Sequence, residues 1–432
     1  MKKIEQLLID SHKNAGHQYY IININPNIQN GLIYWKCTCI VFFQTLKENI
    51  NNTLFEDFNE PTLRLVFEEL AIVQSKFIRT FSASAVLTED KRVATWGSIY
   101  TGGDSSNVAG VLEQGVVNIV ATNMAFAALT EGGRVVSWGN EDFGADSSRV
   151  EEALASGVVD VVPSLKAFAA IKNDGQVVTW GDANFGGDSS SVEEALGGGV
   201  VDVVATERAF AALKKDGQVV TWGDVEYGGD SRNVLDGIIV KRVVATEWAF
   251  AALTEDGRVV SWGYENCGGD SSKVAEKLAG GIVNVLASGY AFTAVTEDKK
   301  VVSWGKAEWG GDSSAGAKDL DKGVEQVVSI HSAFAAVVKG GKVVSWGNPN
   351  NGGDSSHVEE ILACGVVKIV GTEQTFVALT EEGRVVSWGS FQEEEYRKVE
   401  ERLASGVIDV LSVSDNEFTA LKKDGQIVLW KT

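Results

Sequence analysis

Seven aspartates recur along this chain in Gly-Gly-Asp segments, once Gly-Ala-Asp: Asp104, Asp146, Asp188, Asp230, Asp270, Asp312 and Asp354. A row of carboxylates is the raw material of a calcium site, but calcium needs several oxygens converging, and each segment offers one Asp followed by Ser. The pattern better suits a turn in which the carboxylate accepts backbone N–H groups ahead of a helix, so no metal is expected. Nucleophilic and acid–base chemistry find less support. His12, His17, His331 and His357 are the only histidines and do not cluster. No Gly-x-Ser-x-Gly, His-Glu-x-x-His or phosphate-loop spacing occurs. Carboxylate pairs such as Glu151 and Glu152 read as a solvated face. Cys37, Cys39, Cys267 and Cys364 are expected as free thiols in a reducing compartment. The expectation is a protein without covalent chemistry and without a cofactor.

The 432 residues carry a net charge of −21 with 12 Trp and 47 Gly. Such a charge repels phosphate backbones and anionic lipid and favours basic partners. The first residues, interrupted by Glu5, Asp10 and His12, hold no apolar core of signal-peptide length. No apolar run approaches the ~20 residues of a membrane helix.

The elements that must position any functional residue come from a repeat. From about residue 73 one phrase returns, clearest at 243–263 as VVATEWAFAALTEDGRVVSWG. Its closing tryptophan falls at Trp96, Trp138, Trp180, Trp222, Trp262, Trp304, Trp346, Trp388 and Trp430, 42 residues apart except for one interval of 40. Regular self-similarity of this length is the mark of a stacked or radial repeat fold. Each unit predicts three short strands: a β-branched run such as 158–162, then Ala249–Leu253, then Arg258–Trp262. Asp256-Gly257 and its equivalents supply positive φ angles for a hairpin between the last two. After the tryptophan, Ser148 with Glu151, Ser190 with Glu193 and Ser356 with Glu359 match a capping box, and Gly157 suits a left-handed stop, which predicts a short linking helix. The tryptophans are expected as filling between neighbouring sheets. Residues 1–72 differ in kind and predict a small α/β domain; residues 73–432 form the repeat domain.

The Val-rich strand, AFAALTEDG and RVVSWG together resemble the RCC1 (regulator of chromosome condensation) repeat family, whose units carry a similar His-Ser-Leu-Ala-Leu segment and Tyr-Ser-Trp-Gly ending. The three-strand unit is similar to the bacterial RCC1-like propellers. The resemblance implies an all-β propeller of three-stranded blades, here nine units closing as eight or nine blades or winding as an open spiral. It implies protein binding, as in exchange factors for the small GTPase Ran and bacterial effectors acting on host GTPases. The expected protein is a monomer, cytoplasmic or delivered into a host cell without a cleavable signal peptide. Two departures stand out: the unit number exceeds the family's seven, and no unit is longer than its neighbours, so the inserted wedge of the Ran exchange factor has no counterpart.

Strand direction places the loop between strands one and two and the segment after Trp-Gly on one face. Both vary between units over a constant scaffold, which is how binding surfaces are built. Phe143, Phe185, Tyr227, Trp248, Tyr290 and Trp309, with Glu207 and Glu247, are the expected partner-binding residues, rings anchoring and carboxylates steering a basic patch, such as one on a small GTPase. The plainer alternative is that the ring before Gly-Gly packs under its own loop. An enzyme inhibitor acting through these loops and a carbohydrate-binding propeller are the rival functions.

Overall fold

The computed structural model describes residues 76–432 except Asp415. The α/β unit expected at 1–72, with Cys37 and Cys39, lies outside the described residues. The repeat segment forms nine antiparallel three-stranded sheets in chain order, the blades of an all-β propeller. Blade 1 is Lys76–Arg79, Ala83–Leu87 and Val93–Gly97; blade 5 is Val240–Ala245, Ala249–Thr254 and Val259–Gly263; blade 9 is Val407–Ser414, Glu417–Lys422 and Ile427–Lys431. Each has an inner, a middle and an outer strand.

Alternation along the middle strand explains the AFAAL phrase. Phe250 lies opposite Trp262 and Ala252 opposite Val260, so these share one face, while Ala249, Ala251 and Leu253 share the other. The small-residue face of each blade receives the ring face of the next: Ala209, Ala211 and Leu213 of blade 4 pack on Phe250, Ala252 and Trp262 of blade 5. Eight apolar clusters of this kind join the nine blades in succession. In blades 2–9 the Phe and Trp rings stack at 5.1–5.6 Å between centres. Burying one such indole stabilises by about 4–6 kcal/mol. The expected structural role of the repeat tryptophans therefore holds, with one exception. Trp96 is 40% exposed against 4% or less for the others, because its face of blade 1 belongs to no inter-blade cluster among the described residues.

Two local expectations are corrected. The hairpin glycine adopts positive φ, 77° at Gly257 and 79° at Gly175, but the Asp before it does not; Gly257 N–H closes the turn on Thr254 O at 3.1 Å. Lys91 and Lys299 take the same left-handed place, at φ 60° and 63°. The capping boxes do not form either. Ser148 opens a 3-10 turn, Ser148–Val150, that runs into Glu151–Leu154, and neither start has a side-chain cap. The equivalent segments at Ser190 and Ser356 behave alike. The aspartate two residues earlier takes over: Asp146 Oδ1 accepts the Ser148 N–H at 2.9 Å, and the other six repeat it at 2.8–3.0 Å. A carboxylate already placed by its own turn outcompetes the Glu151 carboxylate for the Ser148 N–H, which a capping box would have given to Glu151.

The Gly two residues before this aspartate is explained by its neighbours. At Gly144 φ is +95°, and a Cβ would come within 2.8 Å of the Phe168 ring of the next blade. Its carbonyl accepts the Trp180 indole N–H at 3.0 Å. Gly-Gly-Asp-Ser-Ser is thus a wedge between blades, with glycine demanded by backbone and ring together.

Candidate protein-interaction face

The two variable connections do meet on one face. Asn140 N–H donates to Met124 O at 2.9 Å, and Thr122 Oγ1 donates to Phe143 O at 2.9 Å. Asp182 with Lys166, Asp224 with Arg208, Tyr264 with Trp248, Lys306 with Tyr290 and Asn348 with Ser332 repeat the first bond at 2.9–3.1 Å. The inner loops are also fastened to one another. Phe81 N–H donates to Asn123 O, and the chain of bonds continues through Leu165, Glu207, Glu247, Gly289 and His331 to Glu373 O, at 2.6–3.2 Å.

On this rim, side chains from alternate connections interleave. Lys166 Nζ stands 4.6 Å from the Phe143 ring centre and 4.8 Å from that of Phe185. The Arg208 guanidinium sits 4.9 Å from Phe185 and 4.7 Å from Tyr227. Trp248 then meets Tyr227 at 5.6 Å, Tyr264 at 5.2 Å and Tyr290 at 5.1 Å, edge to face. Tyr290 meets Trp309 at 4.4 Å, and His331 closes on Trp309 at 5.0 Å. Lys306 lies over Tyr290 and Trp309. The result is one continuous arc from Phe143 to His331, held by cation–π and edge-to-face contacts.

All six expected rings stand on this arc. Phe185 is buried, whereas Phe143, Tyr227, Trp248, Tyr290 and Trp309 are half-buried. The plainer alternative describes part of their role: Phe143, Phe185, Tyr227 and Trp309 each pack one side onto an inter-blade core. Glu207 and Glu247 brace the rings. Glu207 Oε2 accepts the Trp248 indole N–H at 3.1 Å, and burial pushes its carboxyl above the usual range. Glu247 lies 3.6 Å from His331 Nδ1 and beside the Tyr290 hydroxyl, whose pKa is raised by burial first and by this carboxylate second.

Sequence reasoning missed Lys166, Arg208, Tyr264, Lys306 and His331 as members. The signal was present: each occupies a variable position of the same two connections. The local charge is consequently mixed rather than purely acidic. Arg208 also pairs loosely with Asp224 at 3.7 Å.

No family model and no curated protein matches this chain. Solved structures it is similar to include the ectodomain of the Physcomitrella patens receptor kinase CR4, at 12% identity over 63% of this chain and 72% of that one, TM-score 0.36. Prp20p from Saccharomyces cerevisiae, described with its binding to Gsp1p and histones, gives 18% over 57% and 73%, TM-score 0.35. Human WBSCR16 gives 16% over 65% and 77%, TM-score 0.36. None of the described helices is long and apolar enough to cross a membrane. By its nine sheets, their register and the eight cores between them, the chain is an all-β propeller of nine three-stranded blades, with RCC1-type propellers among the structures it is similar to.

Proposed function

We propose that the chain is a protein-binding propeller whose partner seats on the arc from Phe143 to His331. The observation that carries this is the unbroken interleaving of rings and charges on the face where the variable connections gather. Half-buried aromatic side chains offer large contact area with little rotamer entropy left to lose, which is what interface anchors need. Lys166, Arg208 and Lys306 alternate with Glu207 and Glu247, which favours a partner of mixed charge and fixes its register. The finer reading is a regulator or exchange factor of a Ran-like small GTPase, acting by reshaping the nucleotide site without a covalent step. It draws on the sequence resemblance, and every described blade here has the same three strands, so a partner would be engaged by the arc itself.

The test is to mix the full chain with a panel of GDP-loaded small GTPases, measuring both binding and nucleotide release, and to repeat with Trp248→Ala and Tyr290→Ala. Binding should weaken by about 2 kcal/mol, roughly thirtyfold, in each variant. Unchanged nucleotide release across the panel removes the exchange reading. A partner, found by any route, that binds both variants as tightly removes the arc.

A further inference from the structure

Seven of the eight blade junctions are filled by the same loop, and the eighth is not. In blades 2–8 the indole N–H donates to the first glycine carbonyl of the preceding Gly-Gly-Asp or Gly-Ala-Asp loop at 3.0–3.1 Å. In six of the seven the outer-strand hydroxyl of the blade before bonds the same loop a few atoms on: Ser137 to Ala145 O, Ser261 to Gly269 O, and Thr95, Thr179, Thr221 and Ser345 to the next serine hydroxyl; in blade 6 Ser303 pairs with Thr293 instead. Between blades 8 and 9 residues 390–396 read Ser-Phe-Gln-Glu-Glu-Glu-Tyr, and an eleven-residue helix, Glu393–Leu403, begins where the loop would run.

The two donors that aim at this loop are both stranded. Ser387, 2% exposed, and Trp430, 4% exposed, have side-chain polar atoms without a hydrogen-bond partner among the described residues. The Tyr396 hydroxyl donates to Val385 O at 3.1 Å and is a polar side-chain group near the Ser387 hydroxyl, close enough to lower the Tyr396 pKa against burial, so Trp430 is the more completely stranded of the two donors. Over the outer strand of blade 8 a cavity of about 520 Å³ opens, lined by Ser387, Val386, Ile361, Phe391, Tyr396 and Arg384 among others. Buried donors are normally satisfied, and leaving one unmet costs about 1–3 kcal/mol. Two unmet donors stand where that loop would run, and the cavity, whose lining includes Ser387 but no residue of blade 9, opens the junction from the blade 8 side.

We propose that the eighth junction is a binding site for a Gly-Gly-Asp-Ser turn presented by a partner protein, seated where the chain's own seven loops sit. The first glycine carbonyl would accept from Trp430 Nε1 and the second residue's carbonyl from Ser387 Oγ. Glycine is required first because the equivalent place elsewhere presses on the next blade's Phe, here Phe418. Entry moves the first helical turn, Glu393–Tyr396, aside; Val399 and Leu403 anchor the remainder in the core. The occupant is not this chain's own. Its seven loops are engaged in their junctions, and residues 1–75 hold only Gly16 and Gly31.

The probe is a blocked peptide with the sequence of residues 182–191, titrated into the full chain while the Trp430 indole N–H is followed by NMR. Saturable binding is expected, with that resonance shifting, and both Ser387→Ala and Trp430→Phe should weaken it about tenfold. In the free protein Ser387→Ala should leave the thermal midpoint unchanged or raise it, because it removes an unmet donor. No saturation up to about 1 mM peptide, the weak end of specific recognition, overturns the proposal. So does equal binding of a scrambled peptide, or a fall in midpoint for Ser387→Ala showing that its hydroxyl was already satisfied.

Discussion

The junction between blades 2 and 3 and the junction between blades 8 and 9 join three-stranded sheets and bury equivalent Phe and Trp pairs, yet are closed by different means. In the first, Gly144 presses on Phe168, its carbonyl holds Trp180, and Asp146 ties down the following turn. In the second, a helix lies across the gap, packed through Val399 and Leu403, while Ser387 and Trp430 go unmet. A blade is thus placed without the loop, by apolar packing together with bonds such as Lys368 to Asp409 at 2.7 Å and the Val407 N–H to Gly383 O at 3.0 Å. The loop adds polar satisfaction, and where it is absent the Trp430 indole N–H, matched in blades 2–8 by a glycine carbonyl, has no partner among the described residues.

The largest effect that would test this contrast is at the wedge glycine. Gly144→Ala combines a left-handed backbone with a clash against Phe168 and should cost about 2–5 kcal/mol, whereas Glu394→Ala, at the corresponding place in the last junction, should stay within about 0.5 kcal/mol. Urea unfolding midpoints of the two variants decide it, and equal losses would mean that both junctions depend on the same backbone. Next in size is the indole donor. Trp138→Phe strands the Gly102 carbonyl while Trp430→Phe removes an orphan, so the first should be the more destabilising by about 1–3 kcal/mol; matching thermal midpoints would dissolve the distinction.

The smallest effect is acid sensitivity. Asp104, Asp188, Asp270, Asp312 and Asp354 are held below the usual carboxyl range first by a backbone N–H two residues on. Asp146 is held there first by the Ser148 side chain, and Asp230 is held at about 2 by the Arg232 side chain. A depressed folded pKa means stability fully present above the unfolded value, near 3.9, and lost as pH falls through the folded one. Between about pH 4 and pH 2 the first seven junctions should loosen through these aspartates, a contribution that the eighth, with Tyr396 in place of the aspartate, lacks. Thermal midpoints across that window should fall, and Asp230→Asn should shallow the fall; a flat profile contradicts it.

Much of this was legible in the residues. The spacing of the tryptophans and the alternation in AFAAL announced nine three-stranded units, because side-chain period and strand length are local properties. The gathering of variable connections on one face came from strand direction alone. What escaped turned on which of several possible partners a group takes, near or far in sequence. Ser148 and Glu151 looked like a cap until Asp146 proved the better acceptor for the same N–H. Lys166 and Arg208 occupy variable positions that strand direction places on the face, but that each hangs between rings of the two flanking junctions follows only from the packing of successive units. The unmet state of Ser387 was hidden because it shows only by comparison with the other units, whose equivalent hydroxyl finds its partner in the loop eight to ten residues on.

The backbone bonds that run from Phe81 to Glu373 along the inner loops give the arc a fixed pitch that owes nothing to its side chains. Met124, Lys166, Arg208, Trp248, Tyr290 and Ser332 can therefore be exchanged like type in a composing stick, each slot altering what the face spells without moving its neighbours.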